Sequence, residues 1–200
     1  ITDIGSEKMN VILASASERR RELLKRIVND FQIIVSDFDE TKVKFNSNCG
    51  SYVMDLAKGK ALSVASKLNK DESIIIGSDT IVFLEDKVLG KPADKEEAFN
   101  MLKLLSGKIH QVYSGLAVYN TLTKELITDY VCTEVKFSTI PDEVITSYIE
   151  TGEPMDKAGA YGIQGYGGIF VEKIHGCYYN IIGLPLNRLY FLLRDMGVNL

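Results

Sequence analysis

The chain is poor in the residues that build disulfide frameworks and soft-metal sites. Only three of its 200 residues are cysteines and two are histidines. Cys49, Cys132 and Cys177 are widely spaced, odd in number and form no Cys-x-x-Cys pair, which argues against a disulfide framework or a thiolate zinc site. His110 and His175 are too few for a His-rich metal site and make a Ser-His-Asp hydrolase an awkward proposition. We therefore expect a reducing compartment and hard oxygen ligands for any metal.

Long apolar runs, proline and an excess of one charge are also lacking. No apolar stretch approaches the roughly 18 residues that span a bilayer, and no basic-then-apolar leader opens the chain, so we expect a cytoplasmic protein without a membrane partner. Its 23 basic and 27 acidic residues give a net charge of −4, which argues against a nucleic-acid polymer as partner. With 46% hydrophobic residues and only four prolines, the composition excludes disordered and collagen-like classes.

The organisation of the chain predicts an α/β fold in one unit. Residues 1–8 are polar and lack periodicity, and Met9 precedes the first apolar run, so we predict an N-terminal extension over 1–8 and a single bilobed domain over 9–200. Strand-like runs alternate with helical patterns, which is typical of βαβ units. The predicted strands are 11–14, 31–36, 74–84, 111–119, 126–137, 169–171 and 178–182. The predicted helices are 19–28, 51–68, one opening at Asp94, one opening at Pro141, and one opening at Pro185.

A cluster of arginines at a predicted helix start is the first anomaly. Residues 15–21 read SASERRR, directly after a strand. The helix dipole makes cations there unfavourable by about 0.3 to 1 kcal/mol each at an exposed site. A bound anion would resolve the conflict, because loop N–H groups and guanidinium groups form a phosphate cradle. A solvated basic face explains the pattern equally well. The segment is not a Walker loop, since no Gly-Lys-Ser/Thr follows.

Charged residues in apolar surroundings are the second anomaly. Asp79 interrupts the most apolar predicted strand, where an unpaired carboxylate would cost several kcal/mol. Lys60 lies on the apolar stripe of its helix, although such a lysine often only extends past the core edge. Lys91 follows a strand in a rigid turn, and Glu40 ends a run with three carboxylates after another strand. Together these side chains provide what metal-assisted phosphoryl chemistry requires, namely cations for phosphates and oxygen ligands for Mg²⁺.

These residues belong to a series of ordered motifs by which the chain resembles the Maf family of nucleoside triphosphate pyrophosphatases. The resemblance covers nearly everything from residue 10 to residue 198. The matching motifs are LASASERR (13–20) with ELL (22–24), KA (60–61), GSDT (77–80), LGKP (89–92), DKAGAYGIQG (156–165) and NIIGLPL (180–186). No single motif identifies the family, but their number and order do.

The resemblance implies a fold, a reaction and a set of site residues. The fold is α/β and similar to inosine triphosphatase, with a long, mixed, twisted sheet flanked by helices and two lobes around a central cleft. The implied reaction hydrolyses a nucleoside triphosphate to the monophosphate and pyrophosphate, with Mg²⁺ or Mn²⁺ as cofactor. Asp79 matches the proposed catalytic proton acceptor. The positions expected to bind phosphates are Ser15, Arg20, Lys60 and Lys91. Glu40 and Asp79 are the candidate metal ligands, and which of them binds the metal stays open.

The resemblance also indicates a branch of the family. The branch that acts on dTTP and UTP has Arg, Thr and Gln at three selectivity positions, here Arg19, Thr80 and Gln164. The amide of Gln164 could complement the O4 and N3–H edge of uracil or thymine. The alternatives are a pyrophosphatase for 7-methyl-GTP or other altered purines, and a nucleotide-binding regulator of cell division; a homodimer is the family-level expectation. Glu18 replaces the usual proline and puts negative charge beside the predicted phosphate site.

Overall fold

A computed structural model describes residues 9–68 and 72–200, so the predicted extension over residues 1–8 lies outside the described residues. The strands are β1 (Asn10–Leu13), β2 (Gln32–Ile33), β3 (Ser73–Leu84), β4 (Lys87–Leu89), β5 (Ile109–Asn120), β6 (Leu126–Phe137) and β7 (Val171–His175). The helices are α1 (Glu18–Leu24), α2 (Cys49–Ala65), α3 (Lys95–Leu105), α4 (Asp142–Glu150), α5 (Tyr178–Ile182) and α6 (Leu186–Asp195). Among these residues we find no helix with the length and apolarity that crossing a bilayer requires.

One mixed sheet organises the molecule. Its strand order is β2-β1-β3-β5-β6-β7, and β4 pairs with β3 outside this path. Strand β1 is parallel to β2 and to β3, whereas the pairs β3–β4, β3–β5, β5–β6 and β6–β7 are antiparallel. Helices pack against this sheet, so the predicted α/β class with a long mixed sheet is confirmed, as is the βαβ start.

Strand β3 changes partners along one of its edges. Its residues 73–76 pair with β1, and its residues 82–84 pair with β4. On this edge no described strand pairs with residues 77–81, while β5 covers the opposite edge throughout. An interruption of this kind leaves a crevice in an α/β sheet, which is where ligands bind in such folds. Asp79 lies at the centre of the gap.

Two apolar clusters lie towards opposite ends of β3 and form the cores of two lobes. One cluster contains Ile74 and Ile76 with residues of α1 and α6, and the other contains Val82 and Leu84 with residues of α3 and α4. Each cluster buries side chains that the helical periodicity predicted to face inward. The gap in β3 therefore falls between the two lobes.

Helix α2 lies directly on the centre of the sheet because two glycines permit it. A Cβ added to Gly77 of β3 would lie 2.1 Å from the carbonyl oxygen of Ala57, and one added to Gly115 of β5 would lie 2.1 Å from that of Val53. Such distances are possible only where the residue has no side chain. The backbone of α2 is thereby placed beside the gap in β3.

Two predicted strands were wrong. Residues 178–182 form the short helix α5, and residues 169–171 mostly belong to a 3₁₀ segment, Tyr166–Phe170, that precedes β7. A short run rich in aromatic and β-branched residues fits a strand or one helical turn equally well by pattern. Here the buried amide of Asn180 donates to the Val112 carbonyl and to the Thr133 hydroxyl, both at 2.9 Å, which anchors a helical turn instead. The second strand is also shorter than its predicted range of 31–36.

Candidate active site

The gap in β3 opens into a cleft between the lobes. The cleft has a volume of about 660 Å³, within the range typical of small-molecule sites. Eight of the nine predicted site residues line it, namely Arg19, Arg20, Glu40, Lys60, Asp79, Thr80, Lys91 and Gln164. They come from α1, a 3₁₀ turn, α2, β3, the end of β4 and the glycine-rich segment. Residues distant in sequence thus surround one space.

The centre of the cleft is an ion-pair cluster built on Asp79. The Lys60 ammonium donates to the Asp79 carboxylate at 2.5 Å and forms an ion pair with Glu40 at 2.8 Å. The side chains of Lys60 and Asp79 are 14% and 12% exposed, whereas that of Glu40 is 56% exposed. Two carboxylates therefore converge on one cation, and the buried one is the residue that the sequence singled out. The close packing of α2 on β3 brings Lys60 within reach.

Arg20 is partly buried, and within residues 9–68 and 72–200 it forms no ion pair with a carboxylate. Its Nε donates to the Gly183 carbonyl at 2.8 Å, one terminal nitrogen donates to the Thr80 hydroxyl at 3.0 Å, and the other donates to the Ser15 hydroxyl at 3.4 Å. Burial lowers the pKa of Arg20, and the nearby Asp79 charge opposes that shift. Three of the five guanidinium N–H groups are used, so each terminal nitrogen keeps one N–H. These groups can donate to an anion in the cleft.

Ser15 lies behind Arg20 and is the predicted site residue that does not line the cleft. Its hydroxyl oxygen accepts hydrogen bonds from the Ser17 amide at 3.1 Å and from Arg20, so its own proton stays available. Glu18, the departure from the family pattern, pairs with Arg21 at 3.4 Å and is 69% exposed. Its charge is therefore compensated on the surface of α1, outside the lining of the cleft.

Lys91 and Gln164 lie exposed at the cleft with free polar groups. Neither side chain forms a hydrogen bond or ion pair with any residue in the described part of the chain. The backbone beside Lys91 is held in place, because the Gly90 carbonyl accepts from the Gly159 amide at 3.0 Å. The Lys91 ammonium and the Gln164 amide can therefore bind a ligand in the cleft without first breaking a contact with a described residue.

The glycine-rich segment contributes charged residues that the sequence reasoning did not select. Arg19 forms an ion pair with Asp156 at 2.8 Å, and Lys157 contacts the same carboxylate at 2.7 Å. Burial alone would raise the pKa of Asp156, but the hydrogen bonds from Lys157 and Arg19, together with their charges, lower it to about 2. Lys157 and Asp156 also line the cleft. Their place at the start of the motif DKAGAYGIQG (156–165) was the signal that could have found them, since by charge pattern they resemble a solvated loop.

Glu153 determines the path of this segment. One carboxylate oxygen accepts from the Tyr148 hydroxyl at 2.9 Å and the Gly167 amide at 3.2 Å, and the other accepts from the Tyr166 amide at 2.9 Å. A Cβ at Gly165 would lie 2.3 Å from the same carboxylate. The segment is therefore an ordered wall of the cleft, and Gln164 is carried on it.

The donor set suits a hard divalent cation. Across residues 9–68 and 72–200, no cluster of three or more His, Cys, Asp or Glu residues could hold a metal by itself. Mg²⁺ in nucleotide sites uses one or two carboxylates, with substrate phosphates and waters as the other ligands. Glu40 and Asp79, which converge on Lys60, provide such a pair. The residues present therefore fit a metal that is shared with a phosphorylated substrate.

The chain is similar to known proteins over nearly its whole length. A curated dTTP/UTP pyrophosphatase of Clostridium tetani is 66% identical over 192 residues, covering 96% of this chain and all 100% of the relative. One from Clostridium novyi is also 66% identical with the same coverage. The solved Ham1 protein of Staphylococcus aureus covers 94% of this chain and 99% of its own at 14% identity, with a TM-score of 0.51, which shows a common fold. A family model described as Maf-like protein matches residues 10–196. Since that match spans the sheet, the cleft and all nine predicted site residues, the chain belongs to the Maf family.

Proposed function

We propose that this protein is a nucleoside triphosphate pyrophosphatase that hydrolyses dTTP and UTP to the monophosphate and pyrophosphate. The observation that carries the proposal is the Asp79 carboxylate, held by Lys60 inside the gap in β3 and facing a cleft that Arg20 and Lys91 also line. A carboxylate beside cations is what hydrolysis of a phosphoric anhydride requires. The names of the 66% identical relatives support this reaction and these substrates.

The proposed chemistry uses Asp79 to activate water. Asp79 orients a water molecule and accepts its proton as the oxygen bonds to the α-phosphorus. The bond from the α-phosphorus to the oxygen that bridges to the β-phosphorus breaks, and pyrophosphate leaves with those electrons. Arg20, Lys60 and Lys91 stabilise the phosphate charge that develops. Lys60 also holds the Asp79 carboxylate in place through their contact at 2.5 Å.

Glu40 and Asp79 would hold Mg²⁺ or Mn²⁺ together with substrate phosphates. When bound, the metal neutralises phosphate charge and makes the phosphorus more electrophilic. Without the metal, the positive charge of Lys60 lies between the two carboxylates and offsets the repulsion between them.

Selectivity for pyrimidines rests in this proposal on Gln164. Its amide carries one acceptor and two donors, and no described residue uses them. It lies on the ordered wall formed by the glycine-rich segment, where it can meet the O4 and N3–H edge of uracil or thymine. A cytoplasmic location and a homodimer stay predictions beside this function.

Pyrophosphate release with Mg²⁺ tests the proposal on dTTP, UTP, CTP, 7-methyl-GTP and ATP. We expect dTTP and UTP to be preferred, and Asp79→Asn to lower kcat by about 10² to 10⁴, the usual contribution of a general base. Asp86→Asn is the matched control, because Asp86 is an exposed carboxylate in the turn after β3. Preference for 7-methyl-GTP would refute the pyrimidine assignment. Binding of nucleotide without turnover, with Mn²⁺ also tried, would favour the regulator instead.

A further inference from the structure

We propose that Ser114 is a positioning residue for the substrate phosphates, acting through Thr80 on the Arg20 guanidinium. This inference rests on the proposed function. It also gives Thr80 a different task from base selection, which the family resemblance implied for that position.

A chain of hydrogen bonds joins the buried sheet to the cleft. The Ser114 hydroxyl donates to the main-chain carbonyl of Asn180 at 3.0 Å. The hydroxyls of Ser114 and Thr80 are 2.8 Å apart, and the Thr80 oxygen accepts from Arg20 at 3.0 Å. Ser114 and Asn180 are both 0% exposed. Ser114 faces Thr80 directly because the two residues are partners in the β3–β5 register.

The number of protons determines the direction of every bond in this chain. A hydroxyl has one proton to donate, and that of Ser114 goes to the Asn180 carbonyl. The bond between the two hydroxyls is therefore donated by Thr80 and accepted by Ser114. Thr80 has then used its only proton, so its oxygen can only accept from Arg20. This fits, because an arginine N–H group can only donate.

This direction has a consequence for recognition. The Thr80 hydroxyl has no proton left to donate to a nucleotide base. What it controls is the orientation of Arg20, which lines the cleft and keeps two guanidinium N–H groups for a ligand. A carboxylate in the place of Thr80 would also orient the guanidinium, but it would neutralise the charge that a phosphate needs. Hydroxyl and carbonyl acceptors fix the direction of the cation and leave its charge for the substrate.

The segment around α5 provides a second fixed acceptor. The buried Asn180 side chain ties this helical turn to β5 and β6 through its two bonds at 2.9 Å. The same segment places the Gly183 carbonyl against the Arg20 Nε at 2.8 Å. The Gly183 carbonyl and the Thr80 hydroxyl are the two shorter contacts of the guanidinium, beside the Ser15 hydroxyl at 3.4 Å. Ser114 fixes the position of the Thr80 hydroxyl.

The test compares Ser114→Ala, Thr80→Val and the double variant. We expect Thr80→Val, which removes a hydrogen bond to the charged guanidinium, to raise KM for both dTTP and UTP, and the Ki of inorganic triphosphate, by about tenfold. Ser114→Ala, which removes only the support of Thr80, should raise the same constants by a smaller factor. The ratio of kcat/KM for dTTP to that for CTP should stay constant. The double variant should be no worse than Thr80→Val, because both changes break the same chain.

Two further variants separate positioning from a general loss of structure. Ser73→Ala also removes a buried hydroxyl from the sheet, at a site where that hydroxyl has no described partner, and it should leave KM and Ki unchanged. Thr80→Ser should recover most of the affinity that Thr80→Val loses. If Ser114→Ala does not fold, the comparison of Thr80→Val with Thr80→Ser decides the proposal by itself.

Three results would overturn the inference. The first is an unchanged Ki for triphosphate in Ser114→Ala or, if that variant is unfolded, in Thr80→Val. The second is a double variant in which the effects of the two single variants multiply. The third is a changed ratio of kcat/KM for dTTP to that for CTP with a normal affinity for triphosphate. The last would show that Thr80 reads the base. If the wild-type protein hydrolyses no nucleotide, the proposed function fails, and triphosphate binding measured by calorimetry still tests the positioning of Arg20.

Discussion

Replacing Gly77 with alanine is expected to damage stability and activity together. The added Cβ would lie 2.1 Å from the Ala57 carbonyl oxygen, and real Cβ contacts essentially never fall below 3.0 Å. The obstacle is helix backbone, which cannot rotate away as a side chain can. Helix α2 must therefore move off β3 by about 1 Å, a displacement that can lower a catalytic rate by about 10² when it misplaces a reacting group. Lys60 lies one helical turn from Ala57 and moves with it.

The magnitude follows from the tightness of this contact. Overpacking costs about 1 to 3 kcal/mol, and we expect the upper end because α2 is also held at Gly115, where an added Cβ would lie 2.1 Å from the Val53 carbonyl oxygen. For a protein of this size, about 3 kcal/mol corresponds to a fall in Tm of about 6 to 12 °C. The lengthened contact between Lys60 and Asp79 should also lower kcat/KM for dTTP by at least about tenfold.

Thermal unfolding and pyrophosphate release measure the two effects. Gly90→Ala is the control for stability, since an added Cβ there meets no atom within 4 Å, and its Tm should stay within about 2 °C of the wild type. An equally small change in Gly77→Ala would refute the reasoning that α2 rests on β3 through this glycine. A large fall in Tm with unchanged kcat/KM at low temperature would instead refute the dependence of the Lys60–Asp79 pair on that contact.

Three further predictions concern other parts of the molecule. Burial lowers the pKa of His110 to about 4. The neutral imidazole therefore contributes its full stability above about pH 6.5, and about 3 kcal/mol is lost as the pH falls towards 4. The free energy of unfolding plotted against pH should differ in slope between the wild type and His110→Phe only in that range. Lys91→Ala should raise KM for dTTP about tenfold and leave Tm within about 2 °C, because this exposed side chain contacts no described partner; an unchanged KM would remove it from the phosphate site. Asp94→Ala should lower the free energy of unfolding by about 1 kcal/mol, since Asp94 accepts from the Glu97 amide at 2.8 Å at the start of α3; an unchanged midpoint of urea denaturation would contradict a stabilising role for this helix cap.

The sequence was informative where a local pattern had one physical interpretation. The long apolar strand, the five-turn amphipathic helix and the cap at Asp94 each appear where they were predicted, since periodicity and capping act over a few residues. The pattern failed at residues 178–182, where a buried amide rather than local preference selects a helical turn. It also did not select Asp156, because an aspartate beside a lysine in a glycine-rich segment is indistinguishable by pattern from a solvated loop.

By itself the sequence determined the α/β class, the family and the anomalous charges, because burying Asp79 or crowding arginines at a helix start is unfavourable wherever it occurs. Only the tertiary structure decided which groups compensate those charges. Lys60 and Asp79 are 19 residues apart, and Arg20 finds acceptors 60 and 163 residues away. Such partners meet through sheet register and helix packing, which depend on the whole chain. The interruption of pairing along β3 is likewise a property of the assembled sheet, and this gap is where the buried Asp79 carboxylate lines the cleft.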